Sequence, residues 1–90
     1  MNLADRISIP TQVLARDVGG EMVILNLESG TYFGLDAVGS RIWQLLSEGR
    51  TFAETCDAMQ AEFDVSRADI ERDLRALIES MLSQKLIEIR

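Results

Sequence analysis

The stretch Ser29-Gly30-Thr31-Tyr32-Phe33-Gly34-Leu35-Asp36-Ala37-Val38 marks the point at which this 90-residue chain changes from strand-like to helix-like patterning. Working back from it, residues 31–35 read as a strand entered through the turn Glu28-Ser29-Gly30. Residues 21–27, Glu21-Met22-Val23-Ile24-Leu25-Asn26-Leu27, form a second, almost wholly apolar strand. Gly19-Gly20 supplies residues that tolerate positive φ, as a tight hairpin requires, and residues 11–16 complete a strand before it. Two short connections in succession imply a meander of order one-two-three.

Working forward, Asp36 is a good N-cap for a helix over residues 37–47, whose apolar positions Val38, Ile42, Trp43, Leu45 and Leu46 share one side. Gly49 can take the left-handed conformation that closes a helix. Thr51 followed by Glu54 is a capping box for a second helix, with Phe52, Cys56, Met59 and Phe63 as its buried face. Asp64-Val65-Ser66 is a break, and residues 67–84 form the clearest helix of the chain. Its stripe is Ile70, Leu74, Leu77, Ile78, Met81 and Leu82. Residues 86–89 look like a short closing strand. Residues 1–8 read as a loosely held, flexible N-terminal extension, and residues 9–90 as a single domain. The order βββααα places the chain in the α+β class. A three-stranded antiparallel meander is covered on one face by helices, in a winged helix-turn-helix arrangement.

Composition removes several classes of function. Fifteen acidic against nine basic side chains, a net charge of −6, disfavour general affinity for nucleic acid or an anionic membrane. No apolar run approaches the ~20 residues of a spanning helix, and no export signal opens the chain; the expected location is the cytoplasm. The single Cys56 excludes an internal disulfide and a Cys-cluster metal site, and the absence of His removes the commonest general base and zinc ligand. Asp69, Asp73 and Glu79 alternate with Arg67, Arg72 and Arg75 as a solvated helix face. No triad, metal set or phosphate loop can be named, so neither catalysis nor a cofactor is expected.

The third strand carries more information. Adjacent strand residues point to opposite faces, so Tyr32 and Phe33 part company, one to the core and the other to a surface or groove. In a meander of this order the strand is an edge unless residues 86–89 cover it. Natural edges are blunted by charge or proline. Residues 31–35 have neither, which suits an edge kept for β-augmentation by an extended peptide. The same vacancy permits a homodimer by edge pairing or strand swapping.

The run Gly30-Thr31-Tyr32-Phe33-Gly34-Leu35-Asp36-Ala37-Val38-Gly39-Ser40-Arg41-Ile42-Trp43-Gln44-Leu45-Leu46 resembles the PqqD family, in which an aromatic strand ending in leucine and an acid or amide leads into a helix carrying valine-glycine and isoleucine-tryptophan. Asp73-Leu74 with Leu77-Ile78, and Leu82 with Leu86-Ile87, resemble its last helix and ending, with Lys85 where glycine is common. The similarity covers about residues 9–89. It implies a stand-alone recognition element for ribosomally synthesised and post-translationally modified peptides: a winged-helix peptide chaperone, in lasso-peptide or quinone-cofactor biosynthesis. Such a chaperone binds the leader of a precursor peptide and presents it to a protease, cyclase or radical enzyme. The resemblance further implies that the leader lies along Thr31, Tyr32, Phe33, Gly34 and Leu35 and against Ile70, Asp73, Leu74 and Leu77 of the last helix. The competing reading is a winged-helix nucleic-acid binder using Arg67, Arg72 and Arg75. Asp69, Glu71, Asp73 and Glu79 on the same helix oppose it.

Overall fold

The computed structural model describes residues 2–90; Met1, the first residue of the expected extension, lies outside them. The elements are β1 (Ile7–Ser8), β2 (Val13–Val18), β3 (Glu21–Asn26), β4 (Tyr32–Gly34), α1 (Ala37–Ser47), α2 (Phe52–Glu62), α3 (Arg67–Ser83) and β5 (Glu88–Ile89). Strands β2, β3 and β4 form the antiparallel meander read from the sequence, in that spatial order. With three helices after it, the fold is the expected βββααα winged helix-turn-helix.

Local chemistry sets the boundaries. Gly19 and Gly20 both have positive φ, 66° and 91°, so Val18 pairs directly with Glu21 across a two-residue turn. The first meander strand therefore runs to residue 18 rather than 16, and it begins only at Val13, after a turn closed by Val13 N–H donating to the Pro10 carbonyl. Asp36, Thr51 and Ser66 cap the three helices through their side chains, and Thr51 with Glu54 completes the capping box. The Thr51 N–H donated to Glu54 holds that carboxyl below its ordinary range.

The core lies between the meander and the helices. Ile24, Leu45, Phe52, Cys56, Met59, Leu74, Met81 and Leu86 are fully enclosed. Burial pushes the Cys56 thiol upward, as expected of a small core side chain. Arg41 of α1 grips Glu62 of α2 with two nitrogens, at 2.8 and 2.9 Å, and this hydrogen bond lowers the Glu62 pKa.

The terminal segments adopt a pairing the sequence did not suggest. Ile7 stands opposite Ile89 and Ser8 opposite Glu88, with Arg6 and Arg90 exchanging backbone bonds beyond them. Ile7 is buried, and the Leu3 and Asp5 carbonyls accept the Ala53 and Phe52 N–H groups. These are donors that a first helical turn leaves without partners, so residues 3–5 are built into the helix end.

Candidate functional site

Strand β4 has one neighbour, β3, in the register Val23–Gly34, Ile24–Phe33, Leu25–Tyr32. The closing segment pairs with β1, and among the described residues no strand pairs with the other side of β4. At the two ends of the ladder, Asn26 N–H donates to the Thr31 carbonyl and Leu35 N–H to the Met22 carbonyl, both at 2.9 Å. Residues 31, 33 and 35 therefore turn their amide groups toward β3. Antiparallel alternation turns the N–H and C=O of Tyr32 and Gly34 to the vacant side. Four adjacent backbone groups await a partner there.

Both ends of this strand are held. At one, Asn26 Oδ1 accepts from Glu28 and Ser29 N–H, fixing the turn. At the other, Ser40 of α1 takes the place of a rung: Met22 N–H donates to Ser40 Oγ at 2.8 Å, and Ser40 Oγ–H donates to the Leu35 carbonyl at 3.3 Å. Buried Ser40 thus ties β3 and the end of β4 to the first turn of α1.

The faces of β4 separate as alternation requires. Phe33 and Leu35 pack toward the helices beside Ile24, whereas Tyr32 is 74% exposed on the opposite face. That outer face carries Leu14, Val18, Val23, Leu25 and Tyr32, with Arg16 opposite Val23 and Glu21 opposite Val18 as charged members.

Beside the vacant edge runs a groove whose far wall is α3. Phe33, Leu35, Ile42 and Leu77 give it apolar surface, and Asp36 and Asp73 stand at its rim, around a recess of about 500 Å³. A second, polar recess at the other end is bordered by Ser29, Thr31, Ser83 and Lys85. Residues 31–36 in extended form span about 16 Å and residues 73–83 of α3 about 15 Å, so strand and helix match in length. Arg72 lies 3.6 Å from Asp73 but is itself largely exposed. Among the described residues no group of three or more potential metal ligands occurs, and no helix is long and apolar enough to cross a membrane.

Of the residues singled out from sequence, Thr31, Tyr32, Phe33, Gly34 and Leu35 border the groove or its edge, joined by Asp73 and Leu77. Ile70 and Leu74 do not: they are 2% and 0% exposed and sit in the core. Asp73 and Leu77, one turn apart, line the groove, whereas Ile70 and Leu74, at the adjoining margin of the same stripe, are enclosed. Asp36, Val38, Gly39 and Ile42 line the groove as well. Sequence reading assigned Asp36 only to capping and Val38 and Ile42 only to the core; the partial exposure of Val38 is visible only once α1 is docked.

A small winged helix-turn-helix with an open sheet edge over an apolar groove is the class that fold and site define. The chain belongs to the PqqD family: the family model described as coenzyme PQQ synthesis protein D (PqqD) matches residues 21–87. It is similar to the solved structure of TbiB1 in complex with the TbiA(beta) leader peptide, at 48% identity and TM-score 0.84, over 89% of this chain and 93% of that one. It is also similar to lasso peptide synthetase B1 complexed with the leader peptide, at 26% identity and TM-score 0.85, over 92% of this chain and 98% of that one. None of the curated proteins gives a significant match.

Proposed function

We propose that this chain is a non-catalytic peptide chaperone that binds the leader of a ribosomally made precursor by strand addition to β4 and presents it to a modifying enzyme or protease in the cytoplasm. The observation that carries this reading is the vacant row of Tyr32 and Gly34 beside the groove walled by Asp73 and Leu77. Its support from relatives is that both similar structures were solved with leader peptides. Four new backbone hydrogen bonds contribute about 0.5–1.5 kcal/mol each. Each apolar anchor adds about 1.5–3 kcal/mol. Association and ordering costs offset much of this sum, leaving affinity on the micromolar scale, about −8 kcal/mol. The same row permits self-pairing, so a homodimer formed through it would compete with the peptide.

Titration calorimetry with the TbiA(beta) leader peptide as probe tests the reading. Saturable one-to-one binding at micromolar or lower concentration supports it. Absence of binding, with steeply salt-dependent retention of duplex DNA instead, would replace it with the nucleic-acid reading.

A further inference from the structure

Gly34 is the one glycine whose presence the fold does not require. Gly19, Gly20, Gly30 and Gly49 have positive φ, and a Cβ on Gly39 would stand 3.3 Å from Asp36 Oδ1. Gly34 has ordinary strand geometry, and a Cβ there would meet no atom within 4 Å. Glycine inside a strand weakens it and commonly marks close approach by another group. No described residue makes that approach here, and the position lies at the C-terminal end of β4, on its vacant side.

Alternation places the missing side chain on the outer face, beside exposed Tyr32 and directly across from Val23. A peptide strand added to β4 sets every second side chain on this same outer face. The residue opposite Gly34 meets bare backbone, with Val23 one strand further, about 9–10 Å from the peptide. A short side chain falls short of that span; a long, flat one crosses the glycine and reaches Val23 while lying along the Tyr32 ring. Rings prefer such offset or edge contacts with their neighbours.

We propose that Gly34, Val23 and Tyr32 form a notch that takes one large apolar side chain, aromatic by preference, from the outward-facing row of the bound peptide. This rests on the strand-addition reading above and adds a second specificity element to it, on the opposite face of the peptide from the α3 groove. Leu14, Val18 and Leu25 extend the apolar surface around the notch, which fits such an occupant, and Arg16, opposite Val23, is the charged side chain nearest to it.

Gly34→Val is the direct test, because it fills the notch, keeps the N–H and C=O, and has open space to fold. Calorimetry with the TbiA(beta) leader peptide is expected to show at least tenfold weaker binding than wild type, with Gly34→Ala between them. Alanine replacement along the peptide is expected to find one large apolar residue whose loss weakens wild type tenfold and Gly34→Val by less than twofold. Gly34→Val binding within twofold of wild type overturns the notch, as does the lack of any coupled peptide position. Gly34→Pro, which removes the edge N–H, separates the two levels. Loss of binding in the Pro variant with retention in the Val variant sinks the notch alone. Retention in both, or failure of wild type to bind, sinks strand addition and the notch with it. Should Gly34→Val fail to fold, Gly34→Ala and the peptide series decide by the same criteria.

Discussion

Ile7 stands directly opposite Ile89, and this pairing draws the C-terminal segment to the N-terminal one instead of to β4. Had residues 86–89 lain against β4, the row of Tyr32 and Gly34 would already be satisfied and no extended peptide could add there. The shortest strands of the molecule thus decide whether its candidate site exists.

Replacing Ile7 by alanine tests how firmly that pairing is held. Ile7 is buried among core residues, and truncating a buried isoleucine costs about 2–5 kcal/mol. For a domain of this size that corresponds to a fall in Tm of very roughly 10 °C or more. A thermal melt unchanged within a degree or two would show that the segment contributes nothing.

Leu74→Ala and Leu77→Ala, one turn apart on α3, are expected to separate stability from binding. Leu74 is fully enclosed, so its truncation costs about 2–5 kcal/mol of stability and leaves the affinity of the folded fraction unchanged. Leu77 is half-buried at the groove, so its truncation weakens leader binding about tenfold, or ~1.4 kcal/mol, with a smaller effect on folding. Denaturant melts and calorimetry on both variants read out the two effects. The reverse pattern would place the peptide elsewhere.

Acid is expected to loosen the helix contacts through two carboxylates. Hydrogen bonds from Thr51 and from Arg41 depress the folded-state pKa values of Glu54 and Glu62. A depressed carboxylate adds stability that is fully present above its unfolded pKa, about 4.3, and is lost as pH falls through the lower folded value. Denaturant melts between pH 6 and 2.5 should show wild type losing more stability than Glu54→Gln or Glu62→Gln below about pH 4. Parallel curves would exclude these groups as contributors.

Cys56 is expected to resist alkylation in the native protein. Its side chain is enclosed and burial raises the thiol pKa, so the reactive thiolate is scarce and shielded. Mass spectrometry after iodoacetamide should show modification only in denaturant. Rapid native labelling would mean that α2 opens readily.

The sequence made much of the fold readable because its signals were local. The two glycines of the hairpin, the Asp36 and Ser66 caps and the Thr51–Glu54 box each act within four residues of themselves, and each marks an observed boundary. The β1–β5 pairing was not readable: two-residue strands carry no periodic signal, and the paired residues are 80 and 82 positions apart. The uncovered edge of β4 was legible in its lack of charge and proline, whereas Ile70 and Leu74, expected at the groove, lie in the core. Ile70 and Leu74 share an apolar stripe with Leu77, and only docking against α2 decides which margin of that stripe reaches the groove. Lys85, at the position where the family resemblance led one to expect glycine, occupies the left-handed region, at φ 57°. Its backbone keeps the shape although its side chain differs.

The Ser40 hydroxyl, seated between Met22 N–H and the Leu35 carbonyl, has a thermodynamic consequence for capture. With a hydroxyl clamp at one extremity and the Asn26 turn at the other, the receiving strand has little freedom left to surrender on docking. The ordering penalty then falls on the incoming peptide alone, so stiffening that peptide should tighten the complex more than any further rigidity engineered into its host.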